Sequence, residues 1–153
     1  ATKSEPPVFM SLKEANVLRN AFLDQFPVLM AKEEEWERFA KEMGYIDNLF
    51  HYRRYLPEVF SDDRKVVEDA LKIAVNLPIQ GTAGVITKIA MHELRDYPLR
   101  VNVHDSLVVE VGEKWAKVMA EDMSRVMSRV AEEILGVKVS VECGMGKTWG
   151  GCK

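Results

Sequence analysis

Apolar residues recur at three- and four-residue intervals over residues 11–43, and again further on, before the spacing shortens to two. Ser11 followed three residues later by Glu14 reads as a capping box that opens a helix. Leu12, Ala15, Leu18, Phe22 and Phe26 form its stripe, and Pro27 interrupts it. A second helix runs from there to about Met43, with Leu29, Trp36 and Phe39 apolar, the run Lys32 to Glu35 on a solvated face, and Gly44 as the stop. Residues 45–50 alternate and are rich in aromatics, the pattern of a short strand. Asp62 or Asp63 caps a third helix that reaches about Val75. Asn76-Leu77-Pro78 marks a break or a fresh start, because proline fits best in a helix's first turn.

The next helix spans Pro78 to about Arg95, with Ile79, Ala83, Ile86, Ala90 and Leu94 as its buried stripe. Gly81 and Gly84 each cost that helix about 1 kcal/mol against alanine, which points to close packing on its backbone. From Leu99 the period is two. Leu99, Val101 and Val103 alternate with polar residues, Asp105-Ser106 follows, and residues 107–111 form a second apolar run, so a β-hairpin is expected. An amphipathic helix over 113–135 carries Trp115, Val118, Met119, Val126, Val130 and Ile134 and ends at Gly136. Residues 137–143 alternate as a last strand, and residues 1–10, with two prolines, read as a loop. The fold class is α+β: helices packed on a small antiparallel sheet, in one domain over residues 1–153.

Composition narrows the class. The chain is 47% hydrophobic and 29% charged, a soluble and globular balance. No apolar run approaches the roughly 20 residues of a membrane span, and the opening residues lack the apolar core of a secretory signal. Cys143 and Cys152 have no metal-ligand spacing and read as free thiols of a cytoplasmic protein, with a disulfide as the lesser alternative. A net charge of −3 argues mildly against a stand-alone nucleic-acid binder, though a catalytic floor that holds cations through carboxylates tolerates it.

Three groups of residues carry candidate chemistry. Asp105 sits at or beside the hairpin turn, where a rigid support can present a carboxylate to a hard cation such as Mg²⁺, and His104 beside it can meet a phosphate. On this pattern alone, ordinary turn chemistry is the simpler explanation of an aspartate there. Glu110 lies too far along the second strand to share an ion with Asp105, so a two-metal site needs a carboxylate from another segment. Lys72, Asn76 and Gln80 are spaced four apart, and on a continuous helix they share a face. Asn and Gln amides can donate to the minor-groove acceptors present in every base pair, although a helix cap at Asn76 and a solvated Gln80 remain open. Arg53 and Arg54 suit backbone phosphates or are a plain surface pair.

Taken together and in order, four segments resemble family A DNA polymerases. Residues 44–57, GYIDNLFHYRRYLP, resemble the family's GY…TLFGRRRYLP stretch, and residues 76–91, NLPIQGTAGVITKIAM, its N-x-P-[IV]-Q-G-T-A-A-D helix. VHDSLVVEV, residues 103–111, resembles the VHDELVxEV catalytic hairpin, and VECGMGKTW the closing motif. The matches cover most of the motif-bearing region 44–149, and the helical segment 11–43 fits with weaker motifs. The resemblance implies a partial polymerase palm that catalyses template-directed nucleotidyl transfer to a primer 3′-end in DNA replication, with primer–template DNA and dNTP as partners. It implies that Asp105 ligates catalytic Mg²⁺ and that His104 touches the primer's 3′-terminal backbone. Asn76 and Gln80 would read the minor groove, Arg53 and Arg54 would belong to an arginine cluster near the DNA, and Lys72 stands where the family often has arginine.

Departures from the pattern are Ser106 for glutamate, Gly84-Val85 for Ala-Asp, and His51-Tyr52 for Gly-Arg. The family's D-[YF]-S-Q-I-E-L-R strand and its nucleotide-binding fingers helix are not found. The expectation is therefore a split-polymerase subunit or a fragment, inactive alone. An N-terminal polypeptide would complete it in a bacterial or phage-infected cytoplasm. The alternative is a non-catalytic DNA-binding remnant.

Overall fold

A computed structural model describes residues 10–152; all but the last residue of the loop expected over 1–10 lies outside them. The chain divides into two compact units. One takes in the chain through Ile46 and returns over Tyr55–Val75; the other holds Asp47–Arg54 and the chain from Asn76 onward. The architecture is mostly helical with small antiparallel sheets. Among the described residues the strands form two two-stranded antiparallel sheets, so the α+β class holds while the one small sheet expected is divided in two.

In the first unit, α1 (Leu12–Leu23) opens on the capping box: Ser11 Oγ accepts from the Glu14 amide at 3.3 Å, and Glu14 Oε2 accepts from the Ser11 amide at 2.9 Å. The Ser11 hydroxyl, which also donates to Glu14 Oε2 at 2.7 Å, and then the Ser11 amide hold the Glu14 carboxyl below its usual range. The helix ends before Phe26, and none of its residues is buried. Pro27 starts α2 (Pro27–Met43), whose end is closed by Gly44 in the left-handed region at φ +71°. A β-carbon at Gly44 would come within 2.8 Å of the Phe60 ring, so that position needs glycine for space as well as for conformation. Ala40, Ile46, Leu56, Val59 and Leu71 bury the unit's apolar surface. A single-turn 3₁₀ helix, Pro57–Phe60, precedes α3 (Arg64–Asn76), where Asp63 accepts from the Lys65 amide at 2.8 Å as the start predicted at Asp62 or Asp63.

Strand β1 is Tyr45–Asp47 only; the expected strand over 45–50 stops there because Asn48 turns the chain. Its Oδ1 accepts from the amides of Phe50 and Tyr52, both at 3.0 Å, and the His51 amide closes a turn onto the Asn48 carbonyl at 3.0 Å. His51 then takes φ +60°, the left-handed residue that a three-residue hairpin loop requires. The return strand β2, Arg53–Tyr55, was not expected from the pattern.

The helical backbone does not break at Pro78. Leu77–Gly81 form a π turn between α3 and α4 (Thr82–Glu93). Widening the turn accommodates a residue that has no amide hydrogen and whose ring would clash with an α-helical carbonyl. It also rotates the stripe: Ile79 and Ala83 are exposed, while Thr82, Thr87, Ala90 and Leu94 are buried. A β-carbon at Gly81 would meet the Asn48 side chain at 3.4 Å, an ordinary van der Waals contact; one at Gly84 would meet nothing, contrary to expectation.

Helix α5 (Glu113–Leu135) packs on α4, and it ends at Gly136 with φ +68°. Small residues on both helices, Ala90 and Ala131 among them, let the backbones approach around Leu94, Met123 and Val130. Arg129 bridges Glu93 of α4 and Glu133 of α5, which raises its proton affinity further. Trp115 and Val118 lie on the exposed end of the predicted stripe and are not core. Residues 137–143 form no strand: backbone alternation alone makes no ladder, and no neighbouring strand pairs with them among the described residues.

Candidate functional site

Strands β3 (Leu99–Val103) and β4 (Ser106–Val109) pair antiparallel, with Val103 opposite Ser106 and Asn102 opposite Leu107. The loop is therefore His104-Asp105, one residue earlier than expected, and Ser106 begins β4. Two contacts fix that register. Ser106 Oγ donates to the Val103 carbonyl at 2.9 Å, and the Asn102 side-chain Nδ2 donates to the Ser106 carbonyl at 3.4 Å. φ is +55° at His104 and is not positive at Asp105, the sign pattern of a type II′ turn. Arg100 is the extra residue of a bulge near the base, where it pairs with Glu110 at 3.2 Å.

His104 and Asp105 thus occupy both positions of the loop, and both are exposed. A carboxylate there suits a hard cation, but it is a single ligand. Among the described residues no group of three or more His, Cys, Asp or Glu side chains could hold a metal ion. The described residues do not by themselves complete a Mg²⁺ site.

Asn76 ends α3, and Gln80 lies one helical turn later in the π turn; both are exposed. Asn76 makes no side-chain capping bond, so the cap reading of that residue is not what the geometry shows. Lys72 belongs to the other unit, where its Nζ lies 2.7 Å from Asp69 Oδ1 and is held protonated more firmly for that reason.

Arg53 and Arg54 lie on β2, with Arg53 forked onto Asp47: Nε on Oδ1 at 2.9 Å and Nη2 on Oδ2 at 3.0 Å. That pair holds the Asp47 carboxyl below its usual range. Arg54 is exposed. The loop before these arginines is tied to the turn that carries Gln80 by Thr82, whose Oγ1 accepts from the Leu49 amide at 3.1 Å and donates to the Pro78 carbonyl at 2.5 Å. Asp47, Asn48 and Thr82 were not singled out in the sequence. Their roles depend on a cross-strand register and on a contact between residues 33 apart, and no local spacing encodes either.

The fold and the motif-bearing hairpin define a class that comparison with known proteins identifies. The model of DNA polymerase family A matches residues 6–151. A thermostable DNA polymerase I of Thermus filiformis is 37% identical over 145 residues, which cover 90% of this chain and 17% of that protein. A DNA polymerase I of Pseudomonas aeruginosa is 34% identical over 145 residues, covering 90% of this chain and 16% of the relative. Among solved structures, the POL domain of Pol1 from M. smegmatis, in complex with DNA primer-template and dNTP, superposes with a TM-score of 0.80. It is 30% identical over 94% of this chain and 26% of that one. The chain belongs to DNA polymerase family A and spans about one sixth of the length of these curated relatives. Among the described residues, no helix is long and apolar enough to cross a membrane.

Proposed function

We propose that this chain is the hairpin-bearing part of the palm of a DNA-directed DNA polymerase, which extends a primer 3′-end by template-directed nucleotidyl transfer. The observation that carries the reading is the two-residue loop: His104 and Asp105 fill it, on a paired and bulged hairpin, with both side chains exposed. Family membership and the likeness to a polymerase domain in complex with primer-template and dNTP support it.

In this reading Asp105 is one oxygen ligand of a divalent cation, Mg²⁺ in the first instance; the other carboxylate comes from a palm segment of an N-terminal polypeptide that also supplies the fingers. When bound, such ions supply activation of the primer hydroxyl and charge stabilisation of the leaving pyrophosphate. His104 contacts the terminal primer phosphate. Asn76 and Gln80, with exposed amides, donate to minor-groove acceptors shared by all base pairs, so they sense pair geometry without reading sequence. Arg53, Arg54 and Lys72 face backbone phosphates; Arg53 and Lys72 do so while also engaged by carboxylates of their own chain.

The test is primer extension with Mg²⁺ and dNTPs, with and without the remaining polymerase segments. Extension should require both, and Asp105→Ala in the complete assembly should abolish it. Turnover near the wild-type rate by that variant would overturn the assignment of Asp105.

One observation favours a second reading, a non-catalytic DNA-binding subunit. Ser106 stands where the family usually has glutamate, so the residue after Asp105 supplies no carboxylate, and its hydroxyl donates to the Val103 carbonyl. Primer–template binding without extension in the complete assembly would select it.

A further inference from the structure

The π turn and the arginine hairpin are joined through one buried hydroxyl. In an α-helix the Pro78 carbonyl would accept from the Thr82 amide. Here the Thr82 amide bonds instead to the Ile79 carbonyl, and the Thr82 hydroxyl takes Pro78 at 2.5 Å. The same oxygen accepts from the Leu49 amide at 3.1 Å, in the loop that leads to β2. Thr82 is buried, and so is Asn48, whose side-chain Oδ1 accepts from the amides of Phe50 and Tyr52 and whose side chain would be 3.4 Å from a β-carbon at Gly81. Two backbone segments with no sequence neighbourhood are thereby held in one hydrogen-bonded unit. One presents Gln80 and the other Arg54, both exposed.

We infer that Thr82 is a positioning residue that makes the minor-groove amide of Gln80 and the phosphate-binding Arg54 act together on the primer–template. The inference rests on the polymerase reading given above. The hydroxyl is suited to the task because it satisfies one donor and one acceptor at once from a buried position. Removing it leaves the Leu49 amide and the Pro78 carbonyl to compete for other partners, and the two segments then move independently.

A double-mutant cycle tests this in the complete assembly, with binding of a labelled primer–template read at fixed salt. In the wild-type background, Gln80→Ala and Arg54→Ala should be non-additive, coupled by at least about threefold. Thr82→Val should reduce that coupling to within experimental error of one, and Thr82→Ser, which keeps the hydroxyl, should restore it. A purely structural threonine would lower the melting temperature in Thr82→Val but leave the coupling factor of the folded protein unchanged, and that result overturns the inference. If Thr82→Val does not fold, the wild-type cycle still decides: additive losses overturn the inference, and non-additive losses together with retained coupling in Thr82→Ser support it. Failure of the wild-type assembly to bind primer–template would instead overturn the polymerase reading, and this inference with it.

Discussion

Asp47 and Arg53 face each other across the first hairpin, with both carboxylate oxygens engaged by the guanidinium at 2.9 and 3.0 Å. The fork matches the planar geometry that arginine offers and lysine does not. Because the pair lies next to the Asn48 turn, it clamps the strand end from which Arg54 projects. The Asp47 carboxyl, ordinarily near 3.8, is lowered chiefly by the hydrogen bonds from Arg53. A depressed folded-state pKa contributes stability that is present above the unfolded value and lost as pH falls through the folded one. Denaturant midpoints measured from neutral pH downwards should therefore fall more steeply below about pH 4 in the wild type than in Asp47→Asn. Parallel acid limbs would show that the pair contributes nothing.

His51 has φ +60°, the position in its loop where the family pattern has glycine. An L-residue there costs of the order of 1 kcal/mol, least for residues such as His and Asn. His51→Gly should be neutral or stabilising by a few tenths of a kcal/mol, because relief of strain is partly offset by the freer unfolded chain. His51→Val should destabilise by about 1–2 kcal/mol, since a branched side chain fits that region worst. Urea midpoints at constant m-value measure both.

Leu94 is fully buried at the end of α4, in the unit where that helix packs on α5. Truncation to alanine removes apolar burial and leaves a cavity that the flanking alanines cannot fill. Leu94→Ala should cost about 2–5 kcal/mol, whereas Val118→Ala, at an exposed position of α5, should change stability by less than about 0.5 kcal/mol. Thermal or urea unfolding of the two variants would separate core from surface on the same helix pair.

Asp105 is exposed in its loop, so Asp105→Asn should leave the unfolding midpoint within about 0.5 kcal/mol of the wild type. Primer extension by the complete assembly should fall by several orders of magnitude, because asparagine offers a neutral oxygen in place of a charged ligand. A large loss of stability in the variant would mean that the aspartate is turn chemistry instead.

Much of this molecule follows from local rules. The capping box at Ser11 and Glu14, the stops at Gly44 and Gly136 and the span of α5 all depend on residues within a turn or two of one another. So did the location of the candidate site, because period-two alternation around His104-Asp105 marks a hairpin whichever residues close it. The register of that hairpin was not legible. Moving the loop by one residue leaves the sequence pattern almost unchanged, and only pairing of Val103 with Ser106 distinguishes the alternatives. Continuation of the helix through Pro78 was also hidden, because proline is a strong local breaker and the widened turn is held by contacts it makes later, through Thr82 and Leu49. Residues 137–143 carry a strand's alternation but not its ladder, since a strand exists only when another backbone supplies its hydrogen bonds. The sequence by itself thus determined which segments are helical, the stops at Gly44 and Gly136, and where the chemistry-bearing residues lie along the chain. Tertiary structure decided how those residues are held. Register, the π turn and the Asp47–Arg53 and Thr82–Leu49 contacts arise between backbone segments whose approach no local preference specifies.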